Sequence, residues 1–103
     1  MREGAIRLCE GIIRASFRNG DAETSTIEPG KVYEYLIDLW ATSNVFQKNH
    51  RIRVEVSSSN FPRFDRNLNT GSFFASDTTW VKAEQTIYHT EKYPSCIVLP
   101  IVE

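Results

Sequence analysis

Residues 57–71 read Ser-Ser-Ser-Asn-Phe-Pro-Arg-Phe-Asp-Arg-Asn-Leu-Asn-Thr-Gly, and this stretch decides how the chain is interpreted. It directly follows residues 51–56, Arg-Ile-Arg-Val-Glu-Val, whose alternation of polar and apolar side chains is typical of a strand. Closely spaced serines and asparagines around a proline suit neither a helix nor a continuing strand. The stretch therefore predicts a long ordered loop whose side chains hydrogen-bond to its own backbone.

The same alternation predicts further strands along the chain, and no segment has a helical stripe of useful length. In residues 32–40 the odd-numbered positions are apolar, while the even-numbered ones carry Glu34 and Asp38 together with apolar side chains. We therefore expect this strand to be covered at least partly on both faces. The expected strands are residues 12–18, 32–40, 51–58, 80–88 and 96–102, with Pro100 favouring an edge position.

Turn signals separate these strands. They are Asn19-Gly20-Asp21, Glu28-Pro29-Gly30-Lys31 with type II geometry, and Gln47-Lys48-Asn49-His50. A chain of 103 residues has room for a single domain over residues 1–103. The pattern predicts an all-β fold, an antiparallel β-sandwich, that is incomplete because strands covered on both faces need more protein than this chain supplies.

Charge and hydropathy exclude several partners. The formal net charge is −1, so no basic surface for nucleic acid or an anionic membrane is predicted. No apolar run approaches the ~18 residues of a membrane span, and Met1-Arg2-Glu3-Gly4 does not resemble a signal peptide. We expect Cys9 and Cys96 to be buried free thiols and not to form a disulfide with each other. Free thiols are typical of the reducing cytoplasm, so a cytoplasmic location is favoured.

Candidate catalytic groups are few. No Gly-x-Ser-x-Gly nucleophile elbow is present, and the two histidines are His50, in a turn, and His89, at a strand end. A set of Ser57, His89 and Asp65 could be assembled on paper, but nothing in the sequence positions a base against a nucleophile. Solvated or turn-stabilising histidines are therefore the favoured interpretation.

Metal and sugar sites receive similarly weak support. Asp65, Asn67 and Asn69 alternate like oxygen ligands, but Thr70 stands where a calcium loop needs glycine, and the distal glutamate is missing. Turn capping is favoured over calcium, and no cofactor is predicted. Aromatic side chains could form a sugar-stacking platform, although core or interface packing is favoured. They are Trp40, Trp80, Tyr33, Tyr35, Phe46, Phe61 and Phe64.

Five segments carry a family resemblance in their order along the chain: 11–18 (GIIRASFR), 28–35 (EPGKVYEY), 38–46 (DLWATSNVF), 50–67 (HRIRVEVSSSNFPRFDRN) and 85–89 (QTIYH). They resemble the C-terminal domain of the X-prolyl dipeptidyl-peptidase and cocaine-esterase-like hydrolases. The resemblance spans nearly the whole chain, and its central segment is long and unusual. It corresponds to the second portion of that domain.

The resemblance implies a jelly-roll sandwich of the galactose-binding-like type. In the family, an α/β-hydrolase domain with a serine nucleophile, an aspartate and a histidine precedes this domain, and substrates include X-Pro peptides and acyl esters. None of those catalytic residues maps onto this chain. We therefore expect a non-catalytic module whose partner is the absent α/β-hydrolase domain, and which pairs as a homodimer in isolation. A carbohydrate-binding module is the alternative, on fold analogy alone.

The loop itself receives a structural role in this interpretation. We expect Phe61 and Phe64 to be buried anchors, and Asp65 to bind an arginine, either Arg63 or Arg66, or backbone donors. Replacing Asp65 with alanine should then lower stability by ~1–3 kcal/mol if its partners are buried. The structural residues of the loop are Asn60, Phe61, Arg63, Phe64, Asp65, Arg66 and Asn67.

Overall fold

The computed structural model describes residues 4–20, 24–72 and 76–103. Within these ranges the regular secondary structure is one 3-10 helix, Ala15–Phe17, and the remaining residues form turns, bends and irregular backbone. The antiparallel β-sandwich therefore stays a prediction. The chain divides into two compact units, Met1–Val54 and Glu55–Glu103, and each is described by itself.

The guanidinium of Arg18 organises the first unit. It donates from Nη1 to the carbonyl oxygens of Ala15 and Ser25, both at 2.9 Å, and from Nη2 to that of Thr26 at 3.3 Å. The same group lies 4.4 Å from the centre of the Tyr33 ring, which gives it a cation–π contact as well. Arg18 thereby fixes the segment before it against the segment that follows residues 21–23.

The 3-10 helix corrects one sequence prediction. The strand expected over residues 12–18 is wrong at Ala15–Phe17, where Phe17 N–H donates to Arg14 O at 2.9 Å. The reason is local, because Arg18 binds the Ala15 carbonyl and a tight turn brings that oxygen within reach. Beyond the helix the chain folds back, and Ser25 N–H donates to Ser16 O at 2.8 Å.

Two of the predicted turns are confirmed in the first unit. Lys31 N–H donates to Glu28 O at 3.2 Å, and Gly30 has a φ of +80°, as the third residue of a type II turn requires. His50 N–H donates to Gln47 O at 3.1 Å, with Asn49 at a φ of +71°. His50 thus closes a turn through its backbone. Asp21 of the turn predicted at 19–21 lies outside the described residues.

A close approach of two segments lies at Gly11. A Cβ atom added there would overlap the Asp38 carbonyl oxygen and come within 2.9 Å of Cγ2 of Ile37. Real Cβ atoms are not found at such separations from backbone oxygens. Gly11 therefore lets residues 10–12 lie directly against residues 37–38.

A hairpin is the clearest pairing of the second unit. Thr90 N–H donates to Tyr93 O at 3.2 Å, Tyr93 N–H donates to the Thr90 hydroxyl at 3.1 Å, and the Ser95 hydroxyl donates to Tyr88 O. The Tyr88 and Tyr93 rings also meet, 5.4 Å apart. Residues 88–90 and 93–95 are thus brought together as antiparallel neighbours, with Tyr88 opposite Ser95.

No described residue is buried, and large apolar side chains are exposed along every predicted strand. The inward positions predicted for residues 51–58 illustrate this, since Ile52, Val54 and Val56 are each more than half exposed. The described residues do not supply the layer that would cover them. Among these residues no helix has the length and apolar character needed to cross a membrane.

Candidate functional site

The loop at residues 57–71 binds its own backbone, as predicted. The Ser57 hydroxyl donates to Ser59 O at 3.1 Å and accepts from Ser59 N–H at 3.4 Å. Ser59 in turn accepts from Phe61 N–H through its own hydroxyl, at 3.4 Å. These are the short-range side-chain to backbone bonds by which serines stabilise turns. The serine run is therefore structural in this chain.

The asparagines of the loop are also engaged with backbone. Asn67 Oδ1 accepts from Asn69 N–H at 2.9 Å, and Asn69 Nδ2 donates to Val81 O at 2.9 Å. Asn69 adopts a left-handed φ of +60°, which asparagine tolerates better than most residues. Val81 N–H donates to Leu68 O at 2.9 Å, so two bonds tie the loop to the segment after it. The turn-capping interpretation is confirmed for Asn67, whereas the Asn69 side chain bonds to backbone twelve residues away.

The seven loop residues do not act as a unit. Asn60 O accepts from Phe64 N–H at 3.1 Å, and the Arg63 guanidinium lies 5.5 Å from the Phe64 ring centre. Phe64 is half-buried, but Phe61 is 65% exposed, so the expectation that Phe61 is a buried anchor is wrong for this chain. Arg66, like Asp65, is exposed.

Asp65 does not have the tethering role that the sequence suggested. Its carboxylate forms no ion pair or hydrogen bond with any residue that the structure describes. The physical reason is that the serine and asparagine side chains already hold the loop. The basis for a large stability loss on replacing Asp65 is therefore absent from this chain.

Asp77 is a carboxylate that hydrogen bonds hold within the second unit. Hydrogen bonds from the Thr70 side chain and from the Thr79 backbone and side chain lower the pKa of Asp77, and the Thr78 backbone adds to the shift. Asp77 Oδ1 lies 3.0 Å from the Thr79 hydroxyl. The cluster fastens the end of the loop region to residues 77–79. Sequence reasoning missed it, although an aspartate two residues before a threonine is a recognisable Asx-turn signal.

The catalytic set assembled on paper is not linked. Ser57 uses its hydroxyl within the loop, and no hydrogen bond joins it to His89 or Asp65, all three being described residues. Cys9 and Cys96 are free thiols as predicted, but both are exposed rather than buried. No group of three acidic, histidine or cysteine side chains that could hold a metal occurs among residues 4–20, 24–72 and 76–103.

An open cavity of about 330 Å³ lies in the second unit, where the loop begins. It is lined by Val56, Ser57, Ser58, Gln85 and Ile87. No aromatic ring lines it, so it lacks the stacking surface on which a sugar site depends. The cavity places residues 56–58 alongside residues 85–87.

Two strongly exposed apolar side chains of the first unit lie on residues 32–40. Leu36 is 91% exposed and Trp40 81%, whereas the intervening Ile37 is 40% exposed and Leu39 is half-buried. Trp40 has a φ of +63°, and its N–H donates to Asp38 Oδ1 at 2.7 Å. We call Glu34, Leu36, Asp38 and Trp40 the acidic–apolar surface. The sequence indicated its composition but not the left-handed conformation of Trp40.

Comparisons with known proteins agree with the family resemblance of the sequence. The family model of the X-Pro dipeptidyl-peptidase C-terminal non-catalytic domain matches residues 3–98. The cocaine esterase of Rhodococcus sp. (strain MB1 Bresler) is 48% identical over 101 residues, which cover 96% of this chain and 18% of that protein. No solved structure matches the chain. The chain therefore belongs to the family of X-Pro dipeptidyl-peptidase C-terminal non-catalytic domains.

Proposed function

We propose that this chain is the non-catalytic β-sandwich module of a larger serine hydrolase, and that it packs against and supports an α/β-hydrolase domain. One observation carries the proposal, namely the family match over residues 3–98 to a domain described as non-catalytic. The cocaine esterase relative adds a larger hydrolase as context, because the aligned part is 18% of its length. A serine nucleophile outside this chain would perform the hydrolysis of an ester or a peptide bond.

Exposed apolar surface supports a packing role. Leu36, Trp40, Trp80 and Ile101 each expose at least 70% of their surface in this chain. Covering such side chains is favourable by roughly 25 cal/mol for each Å² of apolar surface removed from water. Contiguous apolar surface on a soluble protein usually marks an interface. A neighbouring domain would supply the missing cover.

The proposed fold is the antiparallel jelly-roll of the galactose-binding-like type. Its support in this chain is a set of close neighbours: Ser16 with Ser25, Leu68 with Val81, and Tyr88 with Ser95. The first and third are segments that fold back antiparallel through a short connection. Complete ladders would follow once the open faces of these segments are covered.

A chimera tests the function directly. In it, the 101 aligned residues of the Rhodococcus cocaine esterase are replaced by this chain. We expect the chimera to unfold in one cooperative transition and to hydrolyse cocaine, while the isolated chain hydrolyses neither cocaine nor a nitrophenyl ester. The same chimera with a flexible linker in place of the chain is the control, and it should unfold at a lower temperature.

Two results would contradict the proposal. Ester hydrolysis by the isolated chain would place catalysis within it. A chimera that unfolds in two independent transitions, at the same temperature as the linker control, would show that the module supports nothing. A calorimetric titration of the isolated chain with common sugars tests the carbohydrate-binding alternative separately.

A further inference from the structure

We propose that Trp40 and Leu36 are the anchors by which this chain docks on the α/β-hydrolase domain, and that they enter an apolar pocket with a basic rim. The inference rests on the proposed function, since it names the surface that the packing uses. It is carried by the acidic–apolar surface, where two strongly exposed apolar side chains alternate along the chain with two carboxylates.

The backbone of Trp40 is held by a hydrogen bond within the chain. Its φ of +63° lies in the left-handed region, which bulky residues rarely adopt. The Asp38 carboxylate fixes that conformation by accepting the Trp40 N–H at 2.7 Å. The indole nevertheless remains 81% exposed, so packing within the first unit does not explain its conformation. Unfavourable backbone that is retained without internal packing points to a function at that residue.

The composition of the surface resembles the centre of a protein interface. Tryptophan is among the residues most enriched where binding energy is concentrated, because its large ring fills a pocket at small conformational cost. Leu36, 91% exposed, adds a second apolar group four residues away. Because the Trp40 backbone is already held by Asp38, little backbone freedom at Trp40 is lost on binding.

The carboxylates define the partner's chemistry. Glu34 forms no ion pair or hydrogen bond with the described residues, and Asp38 forms no ion pair with them. A pocket that receives Trp40 is therefore best matched by lysine or arginine at its rim. A second copy of this chain fits poorly, because a twofold contact would bring the same acidic residues together. The larger hydrolase of the family is the remaining occupant, since 82% of the cocaine esterase relative lies outside the aligned part.

Hydrogen–deuterium exchange of residues 32–40 in the full 103-residue chain and in the chimera tests the inference. We expect these amides to exchange at least about tenfold more slowly in the chimera, as docking through an energetic hot spot implies. Trp40→Ala and Leu36→Ser should each abolish this slowing in the chimera and leave exchange in the isolated chain unchanged. Trp80→Ala is the matched control, because it removes another exposed tryptophan and should keep the slowing.

Charge is tested by Glu34→Lys in the chimera. At low ionic strength, repulsion between the introduced positive charge and a basic rim should make the amides of residues 32–40 exchange faster in the variant chimera than in the wild-type chimera. This difference in exchange rate should shrink at 1 M salt, where exposed charges are screened. A slowing unchanged or strengthened by Glu34→Lys would overturn the basic rim. Equal losses for Trp40→Ala and Trp80→Ala would overturn the assigned anchors.

The outcomes also separate this inference from the proposed function. If the chimera slows exchange elsewhere in the chain but not at residues 32–40, the module packs on the hydrolase domain through another surface and the inference fails alone. If the chimera slows exchange nowhere in the chain, the proposed function fails with it.

Discussion

Arg18 shows how much of the first unit depends on one side chain. Lysine keeps the positive charge but lacks the planar fork that reaches three carbonyl oxygens and stacks on Tyr33. We therefore expect Arg18→Lys to lower the free energy of unfolding by ~1–3 kcal/mol, measured by urea denaturation. Arg7→Lys is the control, because Arg7 is a mostly exposed partner of Glu10 and should change stability little. Equal effects would contradict the role of Arg18.

Asp77 makes the stability of the folded chain depend on pH. Because its pKa in the folded chain is lowered by the threonine hydrogen bonds, its contribution to stability is present above the unfolded pKa of about 3.9 and is lost as the pH falls through the folded pKa. Thr70→Val should raise the pKa of Asp77, as followed by NMR titration. Asp77→Asn should remove this part of the acid sensitivity. If Thr70→Val leaves the pKa of Asp77 unchanged, the Thr70 hydrogen bond is not what lowers it.

Residues such as these explain what the sequence could and could not predict. The turns at 28–31 and 47–50 were predictable, because Gly30 and Asn49 satisfy a local need for positive φ. The self-bonding of the loop followed from serine and asparagine chemistry in the same way. The helix at Ala15–Phe17 did not, because alternation over residues 12–18 does not reveal the tight turn that brings the Ala15 carbonyl within reach of Arg18. Asp65 and Phe61 were assigned partners that the loop does not provide.

Among the paired segments, the approach at Gly11 makes a sharp prediction. An alanine there would press its methyl group against the backbone of Asp38 and the side chain of Ile37, and backbone yields little. We expect Gly11→Ala to lower the free energy of unfolding by ~1–3 kcal/mol, as overpacking does elsewhere. Gly4→Ala is the matched control, since nothing lies within 4 Å of a Cβ there. Equal urea midpoints for the two variants would rule out the close approach.

The hairpin predicts a register that can be tested with a native cysteine. Tyr88 opposite Ser95 places Ile87 opposite Cys96, at a position where paired Cα atoms approach most closely. We expect Ile87→Cys to form a disulfide with Cys96 on mild oxidation, detected as protected thiols by mass spectrometry. Thr86→Cys is the control, since its side chain points to the other face. Linkage through position 86 instead would show a register shifted by one residue.

The hairpin also gives a physical reason for the irregular backbone around it. Neither Glu91 nor Lys92 has a positive φ, whereas two-residue hairpin loops that match the strand twist need one. Loops of the other hand splay the strands they join. Extension of this pairing into regular strands depends on cover from other layers, and so it could not be derived from alternation alone.

For the whole molecule, the exposed apolar side chains set the behaviour in solution. We propose that the isolated chain forms a homodimer, because side chains such as Trp80 and Val102 have no cover within it. Light scattering at micromolar concentration should then give twice the mass of 11.8 kDa. A stable monomer would contradict this. A cytoplasmic location also remains a prediction, and the two free thiols favour it.

The register of the hairpin has a consequence for aggregation. In a ladder that continued the register of Tyr88 opposite Ser95, Pro94 and Pro100 would both fall at positions whose backbone donor points away from residues 80–90. Proline has no such donor, so the outer side of residues 94–100 is a poor template for a strand of another chain. A domain that packs on a partner through exposed apolar side chains, as proposed for this chain, would thereby be protected along its backbone. Contacts between domains would then be selected by side-chain fit, while pairing with a strand of another chain is disfavoured at that edge.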